Sequence, residues 1–476
     1  MTAMFWKYFT AGCLLFFFKT SVSQSPWSLQ TCIDYAIQNN VSVRQAELQA
    51  RLSELTVSQA KASLLPSLNF SGNSGYRLGL TENPTTGVLQ SSNFFSAGFS
   101  LSTGLTLFNW FSRQHTLKAA QFSGKADQAG VHKAQIDIVL NISTAYLQAL
   151  LAKEMMEMAR RQLEQTKGQA DLTRRKIAMG VLSELDAAQV QVQILTDSTA
   201  LLSADENKEK SLLQLKLILN LDPDFGLDVE PLFVKDTTYG ALIGDGIARL
   251  PDSGASDLPQ FRQLTYQMEA AVQRLDAAKA ARYPTLSLYG NAGSNFVNLS
   301  SAQGYTYIAA QPTGAKVEVN GSSYDVMAPS YTVTNFGVTP FFRQLHKNFG
   351  QSIGVSLSIP LFNGKSLTTT QRREEINLYQ LKLQNEKLHQ EWNTAVATAY
   401  FEALAALKQV KLHEAIVAEA GKVWQAAQKR YNVNLLSTQD LLINQTSFQK
   451  AQTELLIAQY NLLFKRKLLS VLQKGN

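Results

Sequence analysis

One sequence motif occurs twice in this chain, and that internal repeat restricts the possible folds more than any other feature. The segment 61–73 reads KASLLPSLNFSGN and the segment 279–291 reads KAARYPTLSLYGN, an ungapped match at an offset of 218 residues. Repeated segments usually fold as copies of one supersecondary unit. We therefore predict two structural halves, 24–220 and 257–476, joined by a linker over 221–256. Later motifs recur in the same order at an offset of 254 residues: Leu107-Phe108-Asn109 with Leu361-Phe362-Asn363, Thr144-Ala145-Tyr146 with Thr398-Ala399-Tyr400, and Ser183-x-x-Asp186 with Ser437-x-x-Asp440.

Each half is predicted to consist of a helix, two strands, a long helix and a shorter helix. The first helix covers 28–65, and Pro66 and Pro284 end the first helix of each half because proline disfavours helical backbone at the preceding residue. The offset rises from 218 to 254, so the second half carries an insertion of about 36 residues. The predicted strands are 67–80, 94–107, 285–298 and 349–361, the later helices are 110–178, 183–220, 365–432 and 437–473, and a long loop over 299–348 holds the insertion.

The predicted strands alternate apolar residues with small polar ones. A period of two places the two sets on opposite faces. Strands of this length, well above the usual five or six residues, fit tilted membrane spans with lipid on one side and water on the other. A β-sandwich is the alternative, although its strands are usually shorter. In the second strand the apolar set is Phe95, Ala97, Phe99, Leu101, Leu105 and Leu107, and the polar set is Ser96, Gly98, Ser100, Ser102, Gly104 and Thr106.

The two long helices are predicted to be far longer than a globular domain requires. Neither 111–178 nor 366–432 contains proline, and at 1.5 Å per residue a helix of roughly 65 residues is about 100 Å long. Pro360 and Gly364 mark the transition from the last strand into its helix. Apolar residues recur at every third or fourth position, so each helix is expected to pack against partner helices. The predicted fold class is therefore a mixed α and β membrane protein with long helical hairpins and four transmembrane strands per chain.

Each long helix is followed by a turn with the same residue pattern. Gly180 and Asn434 suit a left-handed C-cap, a backbone conformation that most residues avoid. Three residues later a serine and, after three more, an aspartate fit a capping box that opens the next helix. The two hairpins are thus expected to share one tip design. The two capping pairs are Ser183 with Asp186 and Ser437 with Asp440.

The first 23 residues have the features of a secretory signal peptide. Lys7 precedes an apolar run over 8–18, and small residues at 21–23 suit a cleavage site. Cys13 lies inside the apolar run and not at its end, which argues against lipidation. Removal of the segment leaves Cys32 as the one thiol, so no intramolecular disulfide is expected.

Taken together, these residues resemble the outer membrane efflux proteins, or TolC-like channels. The resemblance rests on the order and duplication of the Pro-x-Leu strand starts, the segment 360–364, the Thr-Ala-Tyr runs and the paired tips, and it covers nearly the whole mature chain. Four strands cannot close a membrane barrel, because the smallest have eight, so several chains must assemble. The resemblance implies a homotrimer that closes a twelve-stranded barrel in outer-membrane lipid and continues as a helical tube in the periplasm, with the linker around its middle. It further implies a passive channel for efflux or type I secretion, with a periplasmic adaptor (membrane fusion) protein and an inner-membrane pump as partners.

By the same resemblance, acidic side chains ring the pore at the tip. Asp440 matches the acidic position and Asp186 is its first-half counterpart, whereas Ile443 stands where a second acid is sometimes found. Three copies of a pore-lining aspartate would favour cations and repel anions. Capping alone is the alternative role for both aspartates. The insertion over 299–348 would either cap the mouth of the channel or merely decorate it, and decoration is favoured.

Charge and motif content argue against other classes of function. The formal net charge of +7 falls to about +5 without the two lysines of the signal, which is too small and scattered for nucleic acid. The five histidines show no metal-ligand spacing, and the sequence has no phosphate loop or nucleophile elbow. We expect no cofactor, no metal and no enzymatic activity. A non-channel periplasmic or surface coiled-coil structural protein remains the alternative, although it would not need strands with a lipid-type face.

Overall fold

The computed structural model describes residues 26–82, 89–91, 93–231 and 257–474, and there the chain is a mixed α and β protein, as predicted. The predicted signal peptide and residues 232–256 of the predicted linker lie outside the described residues. The helices are α1 (Leu29–Asn39), α2 (Val41–Ala62), α3 (Ser112–Ala178), α4 (Glu184–Leu219), α5 (Pro259–Ala280), α6 (Phe341–Lys347), α7 (Ser366–Asn432) and α8 (Thr438–Lys474). The strands are β1 (Ser67–Arg77), β2 (Leu80–Glu82), β3 (Leu89–Ser91), β4 (Phe94–Phe108), β5 (Thr285–Val297), β6 (Ser301–Val319), β7 (Ser322–Gly337) and β8 (Gly350–Ser358).

The helix predicted over 28–65 is interrupted at Asn40, which separates α1 from α2. The backbone of Asn40 is extended, with ψ of 133°. Its side-chain oxygen accepts the Ser42 N–H at 2.8 Å, and its amide nitrogen donates to the Ile218 carbonyl at 2.8 Å. Asparagine makes such local bonds readily, and they compete with continued helix.

Within the described residues, no helix combines the length and apolar character needed to cross a membrane.

The chain forms two compact units, and each takes segments from both sequence halves. Unit 1 comprises Met1–Glu54, Phe122–Glu269 and Tyr379–Asn476, and unit 2 comprises Leu55–Gln121 and Ala270–Leu378. The core of unit 1 contains the fully buried Tyr146, whose hydroxyl lies 2.9 Å from the Trp27 carbonyl oxygen and 2.8 Å from that of Glu230. Tyr146 is the last residue of the first Thr-Ala-Tyr motif. It therefore holds the N-terminal segment and the start of the linker against α3.

Unit 2 contains a four-stranded antiparallel sheet in the order β1-β4-β5-β8. Directly opposed residues of neighbouring strands share a face of the sheet. The sheet therefore has one apolar and one polar face, as the alternation in the sequence predicts. One apolar row is Phe70, Leu101 and Ala292, and the adjacent polar row is Asn69, Ser102 and Asn291.

Two strands end three residues earlier than predicted. β1 stops at Arg77, two residues before Gly79, whose φ of 101° is incompatible with a regular strand. β8 stops at Ser358, two residues before Pro360, which cannot donate a ladder hydrogen bond.

The prediction of a long loop over 299–348 is wrong, because this segment contains a β-hairpin and a short helix. β6 and β7 pair with each other in a separate two-stranded sheet, and α6 follows them. Asn320 and Gly321 form the turn, with φ of 52° and 78°. Two residues with positive φ are what a tight hairpin turn of the primed type requires, and Asn-Gly is its strongest sequence signal.

The helix α6 supplies hydrogen-bond partners to the part of β5 that extends beyond β8. β8 pairs with β5 only as far as Gly293. Above that point, the buried Gln344 side chain accepts the Val297 N–H at 3.0 Å and donates to the Val297 carbonyl at 2.9 Å. Asn348 also donates to the Asn295 carbonyl at 2.8 Å. The Gln344 amide thus replaces one residue of a paired strand and fixes the return of the hairpin to the sheet.

We expect Gln344→Leu to destabilise the protein by about 2–4 kcal/mol per chain, because it leaves a buried N–H and a buried carbonyl without partners. The measurement is thermal unfolding of the detergent-solubilised protein. Gln311→Leu, at an exposed position of β6, is the control and should leave the unfolding temperature unchanged. Equal unfolding temperatures for the two variants would contradict this role of Gln344.

Candidate functional site

The two hairpin tips of unit 1 have the same backbone geometry. Gly180 and Asn434 are both left-handed, with φ of 72° and 62°. Their hydrogen bonds correspond one to one: Gly180 N–H to Ile177 O at 2.8 Å and Val181 N–H to Lys176 O at 2.9 Å in the first tip, and Asn434 N–H to Tyr431 O at 3.1 Å and Leu435 N–H to Arg430 O at 2.8 Å in the second. This Schellman arrangement satisfies the last carbonyls of α3 and α7.

Ser183 and Ser437 lie directly before α4 and α8, at the N-cap position. Asp186 accepts the Ser183 backbone N–H at 2.9 Å and the Ser183 hydroxyl at 2.8 Å. Asp440 accepts the Ser437 hydroxyl at 2.7 Å, and the same hydroxyl accepts the Asp440 N–H at 3.1 Å. Both aspartates therefore satisfy groups at a helix N-terminus. A role at a pore stays a prediction for either of them.

The two aspartates differ in their surroundings. The Thr438 hydroxyl, followed by the Ser183 backbone N–H, holds the pKa of the Asp186 carboxyl below its usual value. Thr438 belongs to the second tip and is buried near the half-buried Asp186, whereas Asp440 is exposed. Because the folded-state pKa is lowered, the stability that Asp186 contributes is present at neutral pH and is lost as the pH falls through that pKa.

Lys176 makes the most extensive polar contact between the tips. Its ammonium nitrogen donates to the Tyr431 carbonyl at 2.6 Å and to the Asn434 side-chain oxygen at 3.0 Å. The same nitrogen lies 4.1 Å from the centroid of the Tyr431 ring. A cation at this place also interacts favourably with the negative C-terminal ends of both long helices. The sequence analysis missed Lys176, although its position in the last turn of α3 is a signal.

Behind this contact, the interior of the tip region is partly apolar and partly polar. The apolar cluster is formed by Trp424, Ala427, Tyr431 and Leu441. Further along the helices, the buried Asp197 accepts the Thr166 hydroxyl at 2.6 Å and the Gln193 amide at 2.9 Å. The Gln445 amide of α8 in turn donates to the Thr166 hydroxyl at 3.2 Å. Such buried polar contacts are suited to fixing the register between helices.

A groove between α4 and α8 begins beside the capping residues. Its volume is about 650 Å³, and its walls are mostly apolar. Leu185, Val192 and Ile443 each expose more than half of their side-chain surface, although they lie on long helices with polar residues around them. An exposed apolar surface of this kind marks a place for a protein partner.

The strand-to-helix transitions carry an aromatic cluster that the sequence analysis did not identify. Pro66 and Pro284 lie directly before β1 and β5, and Gly364 has φ of 62° between Pro360 and α7. The aromatic residues of unit 2 at these junctions are Phe108, Trp110, Phe111 and Tyr283, with the rings of Trp110 and Tyr283 centred 4.8 Å apart. Aromatic residues of this kind are typical of the water interface of a membrane sheet.

The described residues contain no group of three histidine, cysteine, aspartate or glutamate side chains that could hold a metal ion. One histidine ring contacts an amide side chain: His115 Nδ1 lies 2.9 Å from the Gln273 side-chain oxygen.

Comparison with known proteins identifies one family. The family model described as Outer membrane efflux protein matches residues 32–221 and 250–471. The chain is 21% identical over 436 residues to Toxin and drug export protein A of Aggregatibacter actinomycetemcomitans, which covers 91% of this chain and 83% of that protein. It is 22% identical over 452 residues to Outer membrane protein TolC of Escherichia coli (strain K12), with 94% and 82% covered.

Solved structures agree on the fold. The outer membrane protein VceC from Vibrio cholerae has a TM-score of 0.72 at 16% identity, covering 94% of this chain and 96% of that chain. The CmeC outer membrane channel of Campylobacter jejuni has a TM-score of 0.72 at 17% identity, covering 94% and 85%. The predicted mixed fold of long helical hairpins and membrane strands is thereby confirmed.

Proposed function

The chain belongs to the outer membrane efflux protein family and is a channel subunit of the Gram-negative outer membrane, and from this we propose that it works as a homotrimer in a tripartite efflux or type I secretion system. In this proposal the trimer is a passive duct that catalyses no reaction. It carries small molecules or exported polypeptides outward from a pump complex, and one relative is named for the export of toxin and drugs.

The arrangement of the sheet supports assembly of several chains. In the described part of unit 2, β1 and β8 each pair on one side only and form the two edges of the sheet. An open edge in lipid leaves backbone N–H and carbonyl groups without partners, which costs several kcal/mol for each group. Pairing of β8 from one chain with β1 of the next removes these edges, and three copies give twelve strands. The apolar face of the sheet then contacts lipid and the polar face lines the water-filled interior.

The tips of the helical hairpins are the proposed constriction. Asp440 is exposed beside an apolar groove, so its carboxylate is free to face a pore while it caps α8. Three such carboxylates around one axis attract cations and repel anions. We assign the groove between α4 and α8 to the periplasmic adaptor, which in turn connects the channel to an inner-membrane pump.

Single-channel conductance in a planar bilayer tests the pore and the acidic tip together. Stable conductance steps are expected, and Asp440→Ala should reduce the preference for cations over anions by about tenfold. Asp440→Asn separates charge from capping, because asparagine keeps an oxygen that can accept the Ser437 hydroxyl. We expect both variants to lose selectivity equally.

Glu414→Ala removes an exposed acid on the body of α7 and serves as the control. A loss of selectivity in Asp440→Ala but not in Asp440→Asn would return Asp440 to a capping role. An inserted oligomer that conducts no ions would contradict the proposed channel itself.

A further inference from the structure

The hairpin β6–β7 lies at the end of the sheet away from the helices. Four residues separate the end of α5 from β5, which runs to Val297, and β6 follows from Ser301. β5 has 13 residues, whereas a tilted strand crosses the hydrocarbon layer in roughly 9–11. The hairpin therefore extends beyond the membrane into water on the extracellular side, and membrane lipid does not cover it.

The register of the hairpin separates two faces with different chemistry. Alternate residues of β7 point to opposite sides, and each residue shares a side with its partner on β6. One side, which we call the tyrosine face, consists of Tyr305, Tyr307, Pro312, Met327, Pro329 and Tyr331. The other side, the threonine face, consists of Thr306, Ala309, Gln311, Ala328, Ser330 and Thr332.

The tyrosine face is uncovered in the single chain. Tyr305, Tyr307 and Tyr331 are 66%, 55% and 57% exposed, and the rings of Tyr307 and Tyr331 contact each other at 5.7 Å. The charged residues of the hairpin, Lys316, Glu318 and Asp325, lie on the same side near the turn, so the tyrosine face is uncharged from its base to Met327. An isolated two-stranded hairpin is at best marginally stable in water. A hairpin with 19 and 16 residues in its strands therefore needs a packing partner.

We propose that the tyrosine faces of the three subunits turn toward the channel axis and pack against one another above the barrel. This inference rests on the proposed trimer. The other two copies are the partners that the assembly always supplies, because closure of the ring brings three identical hairpins to one place at high effective concentration. Tyrosine is enriched in protein interfaces because its ring packs apolar surface while its hydroxyl stays hydrated.

The root of the hairpin is held at a fixed place on the sheet. Gln344 and Asn348 hold the returning chain against the upper end of β5, beside the β8 edge at which the next subunit is proposed to pair. Phe341 adds ring contacts to Phe99 at 6.3 Å and to Phe296 at 5.0 Å. The root of the hairpin is thereby anchored next to the sheet edge at which the next subunit is proposed to pair.

Cysteine cross-linking tests this packing in the full-length oligomer. Tyr307→Cys and Tyr331→Cys are treated separately with a short thiol-specific bis-maleimide, and Thr306→Cys and Thr332→Cys report on the opposite face. Cys32 is buried, and burial raises the pKa of its thiol to about 11, so it does not compete. We expect cross-linked subunit pairs on a denaturing gel from both tyrosine-face variants, at roughly tenfold higher yield than from the threonine face.

The outcomes separate this inference from the proposed function. Equal yields from both faces, or no cross-linking in a trimer that remains heat-sensitive and conducts ions, would overturn the packing of tyrosine faces and leave the channel intact. A tyrosine-face cysteine that is protected from a simple maleimide but forms no cross-link would also overturn it, since another molecule, such as a surface polysaccharide, then covers the face. Absence of any trimer would contradict the proposed function first and this inference with it.

Discussion

Leu101→Arg is expected to abolish the stable oligomer in the outer membrane. Leu101 lies near the middle of β4, between Phe95 and Phe108, and shares the apolar face with Phe70 and Ala292. An arginine on the lipid face near the bilayer midplane costs about 2–4 kcal/mol. The proposed trimer contains three copies, so the total cost is about 6–12 kcal/mol, comparable with the whole stability of many proteins. The measurement is the heat-sensitive oligomer band in outer-membrane fractions.

Ser102→Arg is the matched control for this substitution. Ser102 is the next residue of the same strand and lies on the polar face opposite Asn69 and Asn291. An arginine there faces the proposed water-filled interior, so the oligomer should survive with altered ion selectivity. Equal loss of oligomer in both variants would contradict the assignment of the two faces.

Lys176→Met is expected to have the second largest effect, on opening of the helical tips. The substitution keeps much of the side-chain length but removes the charge-assisted bonds to the Tyr431 carbonyl and the Asn434 side chain. Hydrogen bonds of charged groups contribute about 1.5–3 kcal/mol each, and 1.4 kcal/mol corresponds to a tenfold change in an equilibrium. The loss of even one such bond should raise the equilibrium constant for opening at least about tenfold, measured as open probability in single-channel records.

Lys167→Met removes an exposed lysine from the same helix and serves as the control. It should leave the open probability unchanged. If both variants conduct like the unaltered protein, Lys176 stabilises the tips without governing their opening. A lowered unfolding temperature of Lys176→Met without a change in conductance would support the same conclusion.

Local chemistry explains which parts of this fold could be predicted from the sequence. The two faces of the sheet follow from the strict alternation in strands such as β4, and the tips follow from left-handed residues and serine–aspartate pairs within a few positions of one another. The break between α1 and α2 was not predicted, because the bond from the Asn40 side chain to the Ile218 carbonyl joins residues that are far apart in the chain. The Lys176 contact with Tyr431 and the Gln344 contact with Val297 likewise join residues far apart in the chain.

The hairpin β6–β7 was missed for a different reason. Its alternation is broken between Tyr307 and Ala309 and again between Pro312 and Lys316, so no single period of two runs along β6. Beyond the second break, Val317 and Tyr324 lie on the side of the threonine face, and the apolar residues have changed sides. Asn320-Gly321 is nevertheless a clear turn signal that predicts a hairpin.

The division of each compact unit between both halves of the sequence has a consequence for biogenesis. β4 pairs with β5, and its Leu105 opposes Leu288 across most of the first half of the chain. Because synthesis proceeds from the N-terminus, β4 has one unpaired edge until the second half has been made and exported. Long-range pairing of this kind is slow, and an uncovered apolar strand is prone to aggregate in the meantime. We therefore expect the newly exported polypeptide to aggregate unless a holding chaperone keeps its first two strands apart from those of other nascent copies.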